Sequence, residues 1–504
     1  MQTIVDSSPI PPIREVPRRP LTTARKSVGL VATARNVPNV LHNWSGINPI
    51  ARTSQIRYPK TEQQLSNLIR RSKGKIGIVG SALSFEKIAT VPLSDDTSVL
   101  VNLKHFTGLR RMTESTAVFG AQTTVDDVIR ILGEHDRMMP CSPGVIGIQT
   151  LAGSMATGTH GQGLFQSAYS DIVVCLRVVL PHGEIAVIGG EHSRSDLPLQ
   201  AFVTSLGMLG VITEVEIRTE PRRVFACKKV TCDFDDFIED YTKWNQQVEY
   251  VKVWWFPETD QVHVWFTDPA CPKSVAYSDF LSSSRDHPIE SAVCSAALND
   301  TVSIYCTAMS HDTKSSDSPS STSVAPQFKT VRRFADARDL IGYSEQILCK
   351  GIPVPQINCE IAVPMENFTS ATLALREWSM RNKGRLHYPF IYRATGRSEA
   401  WLSPAFQGPV VYIGLLVYIA SDGTVRDDGF ETMREVQKIL AQFGGLPHWG
   451  KHFVPELYDF ERRYTMWTRF EQIRQKTDPE NKFLNPFLGT VFGRRRSTSA
   501  SAHL

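Results

Sequence analysis

Ile76-Gly-Ile-Val-Gly-Ser-Ala-Leu-Ser-Phe85 runs from four mostly apolar residues into a turn of small residues, with Leu83 at its apex. A buried strand that delivers a tight, small-residue turn is a common way of aiming backbone N–H groups at a phosphate. The flanking sequence places this turn in an alternation of helix and strand. Upstream, Thr61 and Gln64 form a capping box ahead of Leu65, Leu68 and Ile69, which share one helical face. Thr124 and Asp127 repeat the device before Val125, Val128, Ile129 and Leu132. Residues 171–190, "DIVVCLRVVLPHGEIAVIGG", read as two strands joined at His182-Gly183, and Val211 to Ile217 alternates as a half-exposed strand should. Pro221 closes this first block.

Between residue 222 and about 385 the texture changes to aromatic strands such as "VKVWWFP" and "QVHVWF", interrupted by the Ser-rich tract 315–326, which reads as a disordered surface loop. The longest apolar run, residues 409–420, is about half the length of a bilayer-spanning helix and rich in β-formers, so it predicts a buried strand and no transmembrane segment. Apolar residues recur at helical spacing from Phe430 to Phe443, where Gly444-Gly445 ends the helix. A second helix is predicted from Leu457 to Arg474, stopping before Asp478-Pro479.

A chain of 504 residues is too long for one simple core. Its 41% hydrophobic and 21% charged residues are those of an ordinary globular protein, and a net charge of +4 without a basic stripe gives nucleic acid no particular foothold. Small anionic ligands stay open. The nine cysteines are scattered and never spaced C-x-x-C, which argues against a disulfide framework or a zinc site and for a reducing compartment.

Glycine carries the most information. Residues 144–163, "GVIGIQTLAGSMATGTHGQG", pack glycines among small residues around His160, and residues 205–217, "SLGMLGVITEVEI", set two glycines just before a strand. Sites where a cofactor lies directly on the backbone need this lack of side chains, although each segment alone reads equally as a tight turn. There is no G-x-x-x-x-G-K-[ST], no G-x-S-x-G, no H-E-x-x-H and no G-x-G-x-x-G opening a helix. Kinases, hydrolases, zincins and nicotinamide Rossmann enzymes therefore drop out, leaving a glycine-lined cofactor site of another design.

The order "IGIVGSALSF", "IGIQTLAGSMATGTHGQG", "SLGMLGVITEVEI", "WLSPAF", "PHWGKHF" and "DPENKFLNPF" resembles the aldonolactone oxidoreductases of the vanillyl-alcohol-oxidase flavoprotein superfamily, over roughly residues 44 to 490. The resemblance implies an α+β fold: a flexible segment 1–43, a PCMH-type FAD-binding domain 44–221, a cap domain 222–440 with an antiparallel sheet and a disordered loop near 312–327, a segment 441–493 completing the active site, and a tail 494–504. The family's opening loop usually reads G-S-G-H-S, its histidine bonded to the flavin. Here Gly80, Ser81, Ala82, Leu83 and Ser84 stand there, and leucine has no nucleophilic nitrogen, so the resemblance implies non-covalent FAD, its pyrophosphate on this turn. Gly153, Ser154, Gly158, Thr159, His160 and Gly161 would line the flavin, with Gly207, Gly210 and Ile212 nearer its adenosine half. His160 reads equally as a packed histidine.

For the substrate, the family's H-W-x-K falls on His448, Trp449 and Lys451, and its E-x-R on Ile391-Tyr392-Arg393. Both cations are kept and the acid is lost. Arg393 and Lys451 would polarise the reacting hydroxyl and the flavin, with His448 helping to take the proton. Ile391 offers only apolar surface where a sugar is usually gripped, which counts against sugar specificity; Glu360 is a candidate substitute acceptor, or a sheet residue facing water. The implied activity is oxidation of a sugar-1,4-lactone such as D-arabinono-1,4-lactone, with O2 as acceptor. A larger, less polar alcohol and a flavin-binding protein without turnover are the alternatives. No metal is expected. The terminal Ala502-His503-Leu504 resembles a relaxed peroxisomal address read by an import receptor, with a mitochondrial presequence in the first forty residues as the alternative.

Overall fold

The computed structural model describes residues 39–283, 337–349, 356–419 and 428–493, without residues 145, 167, 192, 193, 195 and 387, and adds Val425. The segment 1–38, the Ser-rich loop and the C-terminal tripeptide lie outside the described residues.

Thr61 caps the helix Glu62–Arg71 by accepting from the N–H of Gln64, while the Gln64 side chain reaches back to the N–H of Lys60. The helix buries Leu65 and Ile69, and leads into Ile76–Val79. That strand joins Ile56–Arg57 and Val99–Asn102 in a small parallel sheet with Val99–Asn102 in the centre. Thr124 caps Val125–Glu134 by accepting from the N–H of Asp127, whose carboxylate in turn accepts from the Thr124 hydroxyl. The pair expected around His182-Gly183 forms as Val173–Val179 and Ile185–Gly189, in an antiparallel five-stranded sheet completed by Val211–Arg218, Thr116–Gly120 and Leu109–Met112.

The second block builds an antiparallel sheet of eight strands, ordered Ala337–Tyr343, Val224–Asp233, Gln261–Pro269, Tyr250–Phe256, Phe390–Thr395, Val410–Tyr418, Gln356–Pro364 and Leu446–Pro447. Strand alternation splits its aromatic residues between two faces. Trp255 and Tyr392 pack against the helices Phe234–Gln247 and Phe368–Arg381, with Phe234 5.1 Å from Trp255 and Phe237 5.0 Å from Tyr392. Their neighbours Lys252, Trp254, Ile391 and Arg393 point the other way, into a cavity shared with the first block. The apolar run at 409–420 is the fully buried strand Val410–Tyr418.

The helix Gly429–Gln442 ends before Gly444, whose φ of +86° only glycine adopts without strain. The single helix expected from Leu457 to Arg474 is instead two, Phe460–Arg463 and Trp467–Thr477. Tyr464 is extended between them, and its buried ring stacks 5.6 Å from Trp449 and 6.1 Å from Trp467. A continuous helix would forgo that aromatic cluster, so tertiary packing overrides the local period.

The chain end returns to the first block through Asn485. Its Oδ1 caps the helix Pro486–Phe492 at Leu488, and its Nδ2 donates to the carbonyls of Lys87, Ile88 and Thr90 at 2.8 to 3.1 Å. Asn485→Ala removes the cap and orphans buried carbonyls, so it should cost about 2–4 kcal/mol and lower the melting temperature. Asn485→Asp keeps the cap but sets an acceptor-only oxygen against the same carbonyls, so it should melt no higher than Asn485→Ala; a melt of Asn485→Ala unchanged from wild type would refute the tie.

Candidate active site

Both blocks face one cavity of ≈ 660 Å³. One wall is glycine-rich. The turn after Ile76–Val79 contributes Gly80, Ser81, Ala82, Leu83 and Ser84; the segment around the helix Leu151–Ala156 contributes Gly153, Ser154, Thr159 and His160; and the approach to Val211–Arg218 contributes Gly207, Gly210 and Ile212. Gly158 and Gly161 do not line it. Gly158 turns the chain at φ +74°, and a Cβ on Gly161 would stand 2.4 Å from the carbonyl oxygen of Ser142, so these two serve the packing of the His160 loop.

The turn that holds Leu83 is tied at its sides. The N–H of Trp44 donates to the carbonyl of Ala82 at 2.8 Å, the Ser81 hydroxyl to that of Ile148 at 2.6 Å, and the N–H of Phe85 to that of Gly450 at 3.0 Å. Ala82 adopts φ 56°, and a Cβ on Gly80 would come 2.3 Å from Oγ1 of Thr150. The backbone N–H groups of Ser81, Ala82, Leu83 and Ser84 meet no acceptor among the described residues. Consecutive unmatched donors on a side-chain-poor loop are a cradle for an anion such as the FAD pyrophosphate.

The opposite wall carries the charge. Glu360, Ile391, Arg393, His448 and Lys451 all line the cavity. Glu360 and Ile391 lie on different strands, yet both pair with Gly414 of the strand between them. A carboxylate is thus offered to the same space from the far side of a residue with no side chain. Glu360 does not face water: its side chain is 3% exposed. Its Oε1 accepts a short hydrogen bond from Nη2 of Arg393 and lies 3.6 Å from Nε2 of His160, and its Oε2 is 4.0 Å from Nζ of Lys451. Burial pushes this carboxyl upward, but the charge of Arg393, with Lys451 adding to it, holds it well below the usual carboxylate range.

His448 and Lys451 reach the site because Trp449 between them is an anchor: its ring is buried in the aromatic cluster and Nε1 donates to the carbonyl of Leu402 at 2.7 Å. The turn is clamped from both sides, the N–H of His448 donating to the Glu360 carbonyl at 2.9 Å and Gly450 accepting from Phe85. Burial, with Arg393 adding to it, pushes His160 down to about 4, and burial depresses His448 and Lys451 too. His160, Glu360 and His448 bring ligand-type atoms within 4.8 Å of one another. With Arg393 and Lys451 already on the carboxylate, a metal cation would meet two competing positive charges, so the trio reads as an organic site.

The profile of the D-arabinono-1,4-lactone oxidase family matches residues 215–491, and that of an FAD binding domain matches residues 53–189. The chain belongs to the D-arabinono-1,4-lactone oxidase family. It is 25% identical over 472 residues to L-gulono-1,4-lactone dehydrogenase of Mycobacterium tuberculosis, covering 90% of this chain and 98% of that protein. To L-gulonolactone oxidase of Mus musculus it is 25% identical, over 69% of this chain and 75% of that one. Cholesterol oxidase from B. sterolicum shares the fold with a TM-score of 0.66 at 14% identity, over 91% of this chain and 99% of that structure. The protein is thus an FAD-dependent oxidoreductase of the aldonolactone oxidase family, with the α+β architecture of the vanillyl-alcohol-oxidase type.

Lys252, Trp254, His263 and Trp265 also line the cavity of this family member and were not singled out from sequence. The signal was present: in "VKVWWF" and "QVHVWF" the period of two sets these four on one face. Arg393→Met should strand a buried carboxylate and destabilise the protein by about 3–5 kcal/mol at pH 7. The double variant Glu360→Gln/Arg393→Met should recover most of that loss in a denaturant titration; additive losses would show that the two do not compensate each other.

Proposed function

We propose that the protein oxidises a secondary alcohol of an aldono-1,4-lactone, D-arabinono-1,4-lactone or a close relative, with dioxygen as acceptor. The observation that carries this reading is the convergence of Glu360, Arg393 and Lys451 on a cavity whose other wall is the glycine-rich FAD cradle. Bound FAD supplies the two-electron acceptor for the substrate C–H bond. The N–H groups of residues 81–84 hold its pyrophosphate, and Leu83 leaves the cofactor untethered at the place where the family's histidine bonds to it. Arg393 and Lys451 place positive charge where the reacting hydroxyl gains alkoxide character, and Glu360, fixed by Arg393 through Oε1, presents Oε2 as acceptor for a sugar hydroxyl. The hydrogen bond from the N–H of Phe85 to the carbonyl of Gly450 fixes the turn that carries His448 and Lys451 against the FAD-cradle loop.

A second reading, a larger and less polar alcohol, is favoured by Ile391, Trp254 and Leu416, which line the same cavity. Acid precipitation of the yellow protein should release all flavin to the supernatant, and anaerobic D-arabinono-1,4-lactone should bleach it. Flavin retained in the pellet refutes the untethered reading. Released flavin that the lactone fails to bleach, but an aromatic or aliphatic alcohol does, selects the second. Lys451→Met should retain FAD and slow the bleaching by about 10²–10³-fold, checked by stopped-flow absorbance.

A further inference from the structure

We propose that His160, not His448, accepts the proton of the substrate hydroxyl, because the two histidines are locked in opposite tautomers. The inference deepens the reading above and rests on it. His160 Nδ1 lies 2.9 Å from the carbonyl oxygen of Gly161. A carbonyl only accepts, so Nδ1 carries the hydrogen and Nε2 is a bare lone pair. His448 Nδ1 receives the N–H of Gly450 at 2.9 Å. A backbone N–H only donates, so here Nδ1 is bare and the hydrogen sits on Nε2. Aimed at one ligand, His448 therefore donates and His160 accepts. The expected proton-taking role of His448 moves to His160 on this ground.

Position supports the assignment. Nε2 of His160 and Oε2 of Glu360 are both buried without a hydrogen-bond partner, and Nε2 stands 3.6 Å from Oε1. Two acceptors with no donor between them fit a ligand that brings hydroxyl hydrogens, and neighbouring hydroxyls on one ring can serve both. The groups facing His160 are Glu360, Arg393, His448 and the ring of Tyr412, stacked at 3.5 Å. Burial and Arg393 keep the imidazole neutral, so it is free to accept at pH 7, whereas Glu360 is held ionised by two cations and has the lower proton affinity. In the step, the hydroxyl O–H bond breaks, its proton goes to Nε2, and its electron pair closes the C=O bond. The C–H bond breaks at the same carbon, and its hydride leaves to the flavin oxidant. The imidazolium formed faces the Glu360 carboxylate and the Tyr412 ring, both of which favour it.

The test combines two readouts on the holoenzyme. Anaerobic stopped-flow with D-arabinono-1,4-lactone should show His160→Gln reducing its flavin at least 100-fold more slowly than wild type, with substrate affinity within about threefold. The wild-type rate should decline as pH falls toward 4, and this limb should vanish in H160Q. Nitrogen-15 spectra of histidine-labelled wild type at pH 7, assigned with H160Q and H448Q, should show hydrogen on Nδ1 of His160 and on Nε2 of His448. Hydrogen on Nε2 of His160 overturns the proposal, even if H160Q fails to fold. So does an H160Q that reduces its flavin within threefold of wild type. A wild-type flavin that no alcohol bleaches overturns the preceding reading and this one with it; a bleached wild type with an unimpaired H160Q overturns only this one.

Discussion

A carboxylate buried as completely as that of Glu360 cannot stay ionised unless other parts of the chain come to meet it. Here they come from well-separated segments: Arg393 from a strand two places away in the sheet and Lys451 from the turn after the last strand, with neutral His160 of the glycine-rich loop packed beside them. Both cations must be placed before the charge is compensated. The ion cluster therefore contributes little net stability but sets the register, since a one-residue slip of either strand would turn Glu360 or Arg393 to the helix face. The same turn brings Gly450 against the loop of Phe85, so the charged cluster is tied to the glycine-rich turn.

What was legible in the sequence is what is local. Thr61 and Thr124 announce their helices because the cap, the first-turn acceptor and the apolar face all lie within a few residues. The glycine-rich turns were legible for the same reason. Tyr464 was not, because the gain from breaking the helix there comes from Trp449 and Trp467 packing on its ring. Gly158 and Gly161 sit in a motif that resemblance assigns to the cofactor, yet their missing side chains are needed by the protein itself, for a left-handed turn and for close approach to Ser142.

The site was half legible, and Glu360 shows why. From sequence it could equally face water or ligand, since period two fixes only which face a residue shares with its neighbours. That the face is a cavity depends on the first block and the chain end covering it. The apparent loss of the acid at Ile391 misleads similarly. Both positions border the space opposite Gly414, which is flanked by Glu360 on one side and Ile391 on the other. A carboxylate can serve that space from either strand, a relation that exists only once three strands far apart in sequence are paired.

The placement of the acid on that strand has a consequence for what the cavity can hold. Glu360, Arg393, His160, His448 and Lys451 meet in one part of the cavity, and the neighbouring strand faces set Ile391 and Trp254 beside Lys229, Lys252 and His263. The Trp254 face is therefore amphipathic: Lys252 lies 4.9 Å from the ring of Trp254 and Lys229 3.9 Å from that of Trp265. A ligand that fills the cavity meets polar groups beyond the Glu360 cluster as well as apolar surface, and any hydroxyl set against Ile391 without an acceptor costs on the order of 1–3 kcal/mol. The charge cluster and the strand faces together thus limit where a ligand's polar groups can be matched.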